Sequence, residues 1–251
     1  MKKNYATKIL TALTFLFFQL GFSQTTTWTG ASWDNGAPTI TVDAIISSGT
    51  CPILVDTEVK SIIIQDGAVL SVDESITLTI QDNIQVLGSG QFIVNNNASI
   101  LQNNASAVNV GNITYSRDAM PMRQFEFTYW GSPVAGQVLN VFSPLTLSDK
   151  FYSYNANVGV NNWVIENQNN VMTPGKGYAI RAPQGYTSTP RVFSGQFVGT
   201  PNNGNVSANV VAFNPMLLNY NLLANPYPSA INVVTLIDNS NLGTLYFWTH
   251  N

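Results

Sequence analysis

The sequence predicts an all-β protein: a short β-solenoid (right-handed, parallel β-helix-like) followed by an aromatic-rich β-sandwich-like module. Three observations carry this. Only 9% of the 251 residues are charged, against about 25% in an ordinary globular domain, so Asn, Thr, Ser, Gln and Gly supply the polar surface. Between residues 61 and 101, short apolar runs recur at nearly constant spacing with alternation of period two, the mark of half-buried strands. After about residue 110 that spacing stops, and aromatics and prolines rise. The same composition excludes a coiled coil, a charge-rich disordered chain and a typical helical enzyme of the cytosol.

The first element, residues 1–23, reads as a secretory signal peptide. Lys2, Lys3 and Lys8 precede an apolar stretch from Ile9 to Leu20, and Gly21 and Ser23 place small residues before a cut at Gln24. Without this segment, 7 basic and 13 acidic residues remain, a charge of 7 − 13 = −6. So sparse a negative charge cannot neutralise phosphates, and nucleic acid is excluded as a partner. No later run approaches the ~20 apolar residues of a membrane helix. Cys51 is the single cysteine, so no internal disulfide forms, and it reads as a small buried residue.

Residues 24–110 form the solenoid-like module. Apolar runs at Ile62–Ile64, Val69–Val72, Ile76–Ile80, Ile84–Leu87 and Phe92–Val94 are separated by turns centred on 66, 73, 82, 89 and 96, spaced by 7, 9, 7 and 7 residues. A meander or sandwich turns every 8–12 residues, slightly longer than this. Three strands per coil instead give about 22 residues per turn, within the range of repeat architectures. Asn and Gly at the corners favour the solenoid, because stacked bends need left-handed backbone. Trp28 and Trp33, around Gly30, are predicted to cap the open apolar end of the first coil. The competing reading is a platform for a sugar ring.

Residues 111–251 form the sandwich-like module, with an internal repeat over about 125–163 and 220–251. Phe127-Thr128-Tyr129-Trp130-Gly131-Ser132-Pro133-Val134 is echoed by Leu222-Leu223-Ala224-Asn225-Pro226-Tyr227-Pro228-Ser229. An aromatic strand follows each: Phe151-Tyr152-Ser153-Tyr154 begins 18 residues after Pro133 (151 − 133), and Leu245-Tyr246-Phe247-Trp248 begins 19 after Pro226 (245 − 226). The second unit stops at Asn251, half a unit short, which predicts that the sequence is a piece of a longer chain.

Little in the chain points to catalysis, and no cofactor or metal is expected. Gly175-Lys176-Gly177 lacks the spacing of a phosphate loop and reads as a tight turn entering a strand. His250, the one histidine, has no partner group to make it a general base. Among acids that a glycosidase would pair, Asp66, Asp73, Glu74 and Asp82 fall in turns, where Asp serves the backbone. Asp118 and Glu126 are expected to pair with Arg117 and Arg123, and Glu166 completes the candidates. No turn gathers the carboxylates that calcium prefers.

Several motifs together resemble large cell-surface proteins of flavobacteria and other Bacteroidetes. These are Asn35-Gly36-Ala37-Pro38, Gly67-Ala68-Val69-Leu70, Asn97-Ala98-Ser99-Ile100-Leu101-Gln102, Tyr129-Trp130-Gly131-Ser132-Pro133-Val134, Pro174-Gly175-Lys176-Gly177-Tyr178 and Asn225-Pro226-Tyr227-Pro228-Ser229-Ala230. The resemblance implies export by the type IX secretion system and residence at, or release from, the cell surface. The C-terminal sorting domain usual in that group is missing from this sequence. No catalytic residue carries over.

The expected function is non-enzymatic: a secreted or cell-surface stalk or adhesion region that contacts polysaccharide or another cell surface. Exposed members of Trp130, Tyr152, Tyr154, Trp163 and Tyr178 are the candidate contacts, since aromatic rings offer large amphipathic area. The alternative is an accessory region of an extracellular carbohydrate-active enzyme whose catalytic domain lies beyond Asn251.

Overall fold

The computed structural model describes residues 24–157, 162–211, 220–240 and 242–247. The expected signal peptide, Trp248 and His250 lie outside the described residues.

Ten strands build the first module: β1 (Gln24–Trp28), β2 (Val42–Ile46), β3 (Thr50–Ile53), β4 (Thr57–Val59), β5 (Ile62–Ile64), β6 (Val69–Val72), β7 (Thr77–Ile80), β8 (Ile84–Val86), β9 (Gln91–Val94) and β10 (Ser99–Gln102). They stack into three parallel sheets, β1-β2-β5-β8, β3-β6-β9 and β4-β7-β10. This is a β-solenoid of about four turns. Ile62 pairs with Ile84 and Leu78 with Ile100, each 22 residues on (84 − 62 and 100 − 78), as the turn spacing predicts.

Register and burial explain the alternation. Each coil points the same positions inward, so that Cys51, Leu70, Phe92 form one ladder and Ile53, Val72, Val94 another, all buried. Burial pushes the Cys51 thiol up to about 12, so it is a packing residue. Corners stack as well. Ser75 and Asn97, one coil apart, both take positive φ (62° and 61°), a conformation that small polar side chains tolerate.

The two tryptophans do close the first coil. Trp28 ends β1, Trp33 meets it edge to face at 5.6 Å, and both pack on the solenoid core. Asp34 locks their loop by accepting from the Thr27 backbone N–H at 2.7 Å. At the same end, Pro52 lies on the edge strand β3, where the missing N–H discourages pairing with another sheet.

β11 (Ile113–Asp118) belongs to both modules. It adds to β9 in parallel, and its other edge pairs antiparallel with β17 (Ser194–Pro201), which is followed by β13 (Val134–Ala135). The six-stranded sheet therefore runs past residue 110 without a break. A second, antiparallel sheet has the order β12 (Phe127–Trp130), β16 (Tyr178–Arg181), β14 (Phe151–Tyr154), β15 (Trp163–Ile165). Between the sheets sits α1 (Leu139–Phe142), whose Phe142 stacks on Phe197 at 4.4 Å and meets Trp130 at 4.9 Å.

The internal repeat is partly visible. Pro133 is followed by α1 and Pro226 by α2 (Val233–Asp238). The aromatic segment of the first unit is the strand β14, whereas Leu245–Phe247 forms no strand. The Pro226–Pro228 turn covers the far end of the solenoid: the Pro228 carbonyl accepts from the Ile100 N–H at 2.7 Å, and the Pro226 carbonyl accepts from Asn202 Nδ2 at 2.8 Å.

Candidate functional site

The four-stranded sheet sorts the candidate aromatics onto two faces. Strand periodicity places Thr128 and Trp130, Phe151 and Ser153, Tyr178 and Ile180 on the face that packs on α1 and β17. Phe127 and Tyr129, Tyr152 and Tyr154, Trp163 and Ile165 share the other face. Cross-strand ring contacts confirm the sharing: Phe127 meets Tyr152 at 5.7 Å, Tyr154 meets Trp163 at 5.2 Å and Tyr129 meets Trp163 at 5.9 Å.

Three candidate contacts are therefore brought together, and two are not. Tyr152 and Tyr154 are half-buried and Trp163 is 43% exposed, all on the outer face. Tyr178, expected as a contact, is 1% exposed, and its hydroxyl accepts from the Thr173 N–H at 2.9 Å. It is a core residue. Trp130 is half-buried among Phe142, Phe193 and Phe197 and joins the core rather than the outer face. Sequence reasoning passed over Phe127 and Tyr129, although period-two alternation in Phe-Thr-Tyr-Trp sets them opposite Trp130.

The acids serve the structure. Asp66 Oδ1 accepts from Ser89 N and Oγ of the next coil, both at 2.7 Å, and these bonds hold its carboxyl below the usual range. Asp56 reaches Thr77 N in the same way at 2.8 Å, and Asp82 accepts from Asn104 at 2.9 Å. Glu126 pairs with Arg123 at 3.7 Å as expected. Asp118 does not pair with Arg117; it accepts from Asn96 Nδ2 at 3.3 Å. Among the described residues, no three His, Cys, Asp or Glu side chains gather where they could hold a metal ion.

The Gly175–Gly177 turn does lead into β16, and its Lys176 has a structural task. Nζ contacts Glu166 Oε1 at 2.5 Å, while Asn170 donates to Oε2 at 2.9 Å. Burial raises the Glu166 carboxyl, but hydrogen bonds from Lys176, Ser153 and Asn170 outweigh it and leave it below 4.5. A depressed carboxylate stabilises the fold above its unfolded value, and that contribution is lost as pH falls through the folded value. The melting-temperature gap between wild type and Glu166→Gln is expected to be constant near neutrality and to shrink on acidification below about pH 4.5. Melts from pH 7 to pH 3 check this.

A cavity of about 270 Å³ opens beside this sheet, at the end of the solenoid. It is lined by Tyr115 and Arg117 of β11, by the apolar Trp130 and Phe197, and by Leu223 and Tyr227. Tyr129 lines it too, and so links the cavity to the outer aromatic face.

Fold and site thus define a β-solenoid protein joined to an aromatic-faced antiparallel sheet. Residues 21–251 match the family described as Domain of unknown function (DUF8693), and the chain belongs to that family. No curated protein and no solved structure matches it.

Proposed function

We propose that this is a non-enzymatic, exported protein that holds polysaccharide on the outer face of its four-stranded sheet, as part of a cell-surface stalk or adhesion region. One observation supports the reading above others. Tyr152, Tyr154 and Trp163 lie side by side on one face of the sheet, and their contacts with Phe127 and Tyr129 join them into one aromatic surface on which Trp163 is 43% exposed. Rings so placed stack on the apolar face of a pyranose and leave its hydroxyls to water. The solenoid below provides a rigid support, and the apolar segment 1–23 with the type IX resemblance supplies the route outward.

The test has two arms. Fractionation and protease shaving of the native cells should place the protein outside; recovery from the cytosol would end the surface reading. Purified protein should sediment with one or more insoluble plant, algal or microbial polysaccharides without generating new reducing or unsaturated ends. Absence of sedimentation with all of them contradicts binding, and turnover contradicts a non-enzymatic role.

A further inference from the structure

We infer that the cavity at the end of the solenoid takes the carboxylate of a uronic acid residue, so that the saccharide held by the protein is an acidic one. This rests on the reading of the outer face as a saccharide platform. It follows from how β11 ends.

Ile113, Tyr115 and Arg117 continue the inward-facing ladder of the solenoid beyond Phe92 and Val94. The ladder thus ends in a cation, on a strand whose outer edge is taken by β17 with Arg117 opposite Gly195. Its guanidinium is fixed in position: Nη2 donates to the Ala98 carbonyl at 2.6 Å and to the Tyr115 hydroxyl, and Nη1 donates to the carbonyls of Ser116 at 3.2 Å and Asn95 at 3.4 Å. Carbonyl groups orient the cation but do not cancel its charge. Among the described residues, no carboxylate lies within ion-pair distance of Arg117, as also of Arg181 and Arg191, whereas Lys60, Arg123, Lys150 and Lys176 each have one. A partly desolvated charge without a counter-ion is costly, and the cavity beside it is where an anion can sit.

Tyr115 supplies the donor. Its oxygen accepts from Arg117, which leaves its own proton for another acceptor, and no described residue takes it. Burial raises the phenol above its ordinary value against the opposing pull of Arg117, so the hydroxyl stays protonated at neutral pH. A hydroxyl polarised by an adjacent cation is a strong donor to a carboxylate. Trp130 and Phe197 give the apolar wall for a ring, and the volume of about 270 Å³ is slightly below that of drug-sized sites, about 300–1,000 Å³. Tyr129 borders both cavity and outer face, so one chain can stack on the rings and place a carboxylate here.

Titration of the protein with an oligogalacturonate and with its neutral galactose counterpart, followed by tryptophan fluorescence, tests this. The acidic oligomer is expected to bind about tenfold tighter or better at low salt, with the advantage shrinking as salt rises. Tyr115→Phe, which keeps the ring, should remove most of that advantage, and Arg117→Gln should do so completely if it folds. Sulfate at equal ionic strength should not displace the oligomer. Equal binding of both oligomers, indifference to Tyr115→Phe, or displacement by sulfate would overturn the inference while the saccharide platform stands. Failure of both oligomers and of every neutral polysaccharide would overturn both.

Discussion

Phe92→Ala should lower stability by about 3–5 kcal/mol, a fall in melting temperature of roughly 6–20 °C for a chain of this size. The residue is 1% exposed on the ladder of β6, β9 and β11, between Leu70 one coil below and Ile113 one coil above. The neighbouring coils are held at strand spacing by backbone hydrogen bonds, about 4.8 Å apart. They cannot close in to fill the space, so the transfer cost and the cavity cost both apply. Gln91, the preceding residue on the same strand, is exposed. Gln91→Ala is expected to change stability by no more than about 0.5 kcal/mol. Thermal melts of the pair test the inward register directly, and comparable losses in both variants would contradict it.

Gly111→Ala is expected to cost about 3 kcal/mol or more, for two reasons that add. The residue has φ +81°, which is unfavourable for an L side chain by about 1–2 kcal/mol. A Cβ built there also falls inside contact distance of the Val86 carbonyl oxygen. That oxygen belongs to the backbone of β8 and cannot rotate away. The position matters because Val110 bridges to Gln85 just before the chain turns into β11, the strand shared by both modules. The loss should therefore appear as an earlier unfolding transition in denaturant. Gly67 also has positive φ (72°), but nothing lies within 4 Å of its Cβ position, so Gly67→Ala should show only the conformational part. If the two substitutions cost the same, the close approach at Gly111 is not what constrains that turn.

The solenoid was legible because its physics is local. Ile76, Leu78 and Ile80 alternate with Thr77 and Thr79, and turns recur every 7–9 residues, so strand length, register and coil size follow from one another. The cap at Trp28 and Trp33 was legible for a similar reason: a first coil has one uncovered apolar end. The same logic applies to the last coil, yet the cover supplied there by Pro226–Pro228 comes from more than 100 residues away and carries no periodic signal. The pairing of Ile113–Asp118 with Ser194–Gly199 is equally non-local.

At the candidate site, residue types were legible but not their direction. In Phe127-Thr128-Tyr129-Trp130 both alternating sets contain aromatics, so hydrophobicity does not tell the core face from the outer one. Tyr178-Ala179-Ile180 is buried at three successive positions, a run with no alternation to read. Tyr152, Tyr154 and Trp163 could be named but not joined to Phe127 and Tyr129 without the strand order β12-β16-β14-β15. The cavity joins residues of β11, β12, β17 and the Leu223–Tyr227 segment, and only the folded chain brings these together.

On the proposed function, the two faces of this sheet have different tasks, the inner one packing and the outer one binding. The most direct test of this division is the binding isotherm of the triple variant Tyr152→Ser, Tyr154→Ser, Trp163→Ser on whichever polysaccharide the wild type retains, together with its melting curve. Removing these aromatic anchors should weaken binding by about 2 kcal/mol or more, roughly 30-fold, with a melt that stays cooperative and falls only by the lost cross-strand ring contacts. Unchanged binding by a folded triple variant would contradict the account.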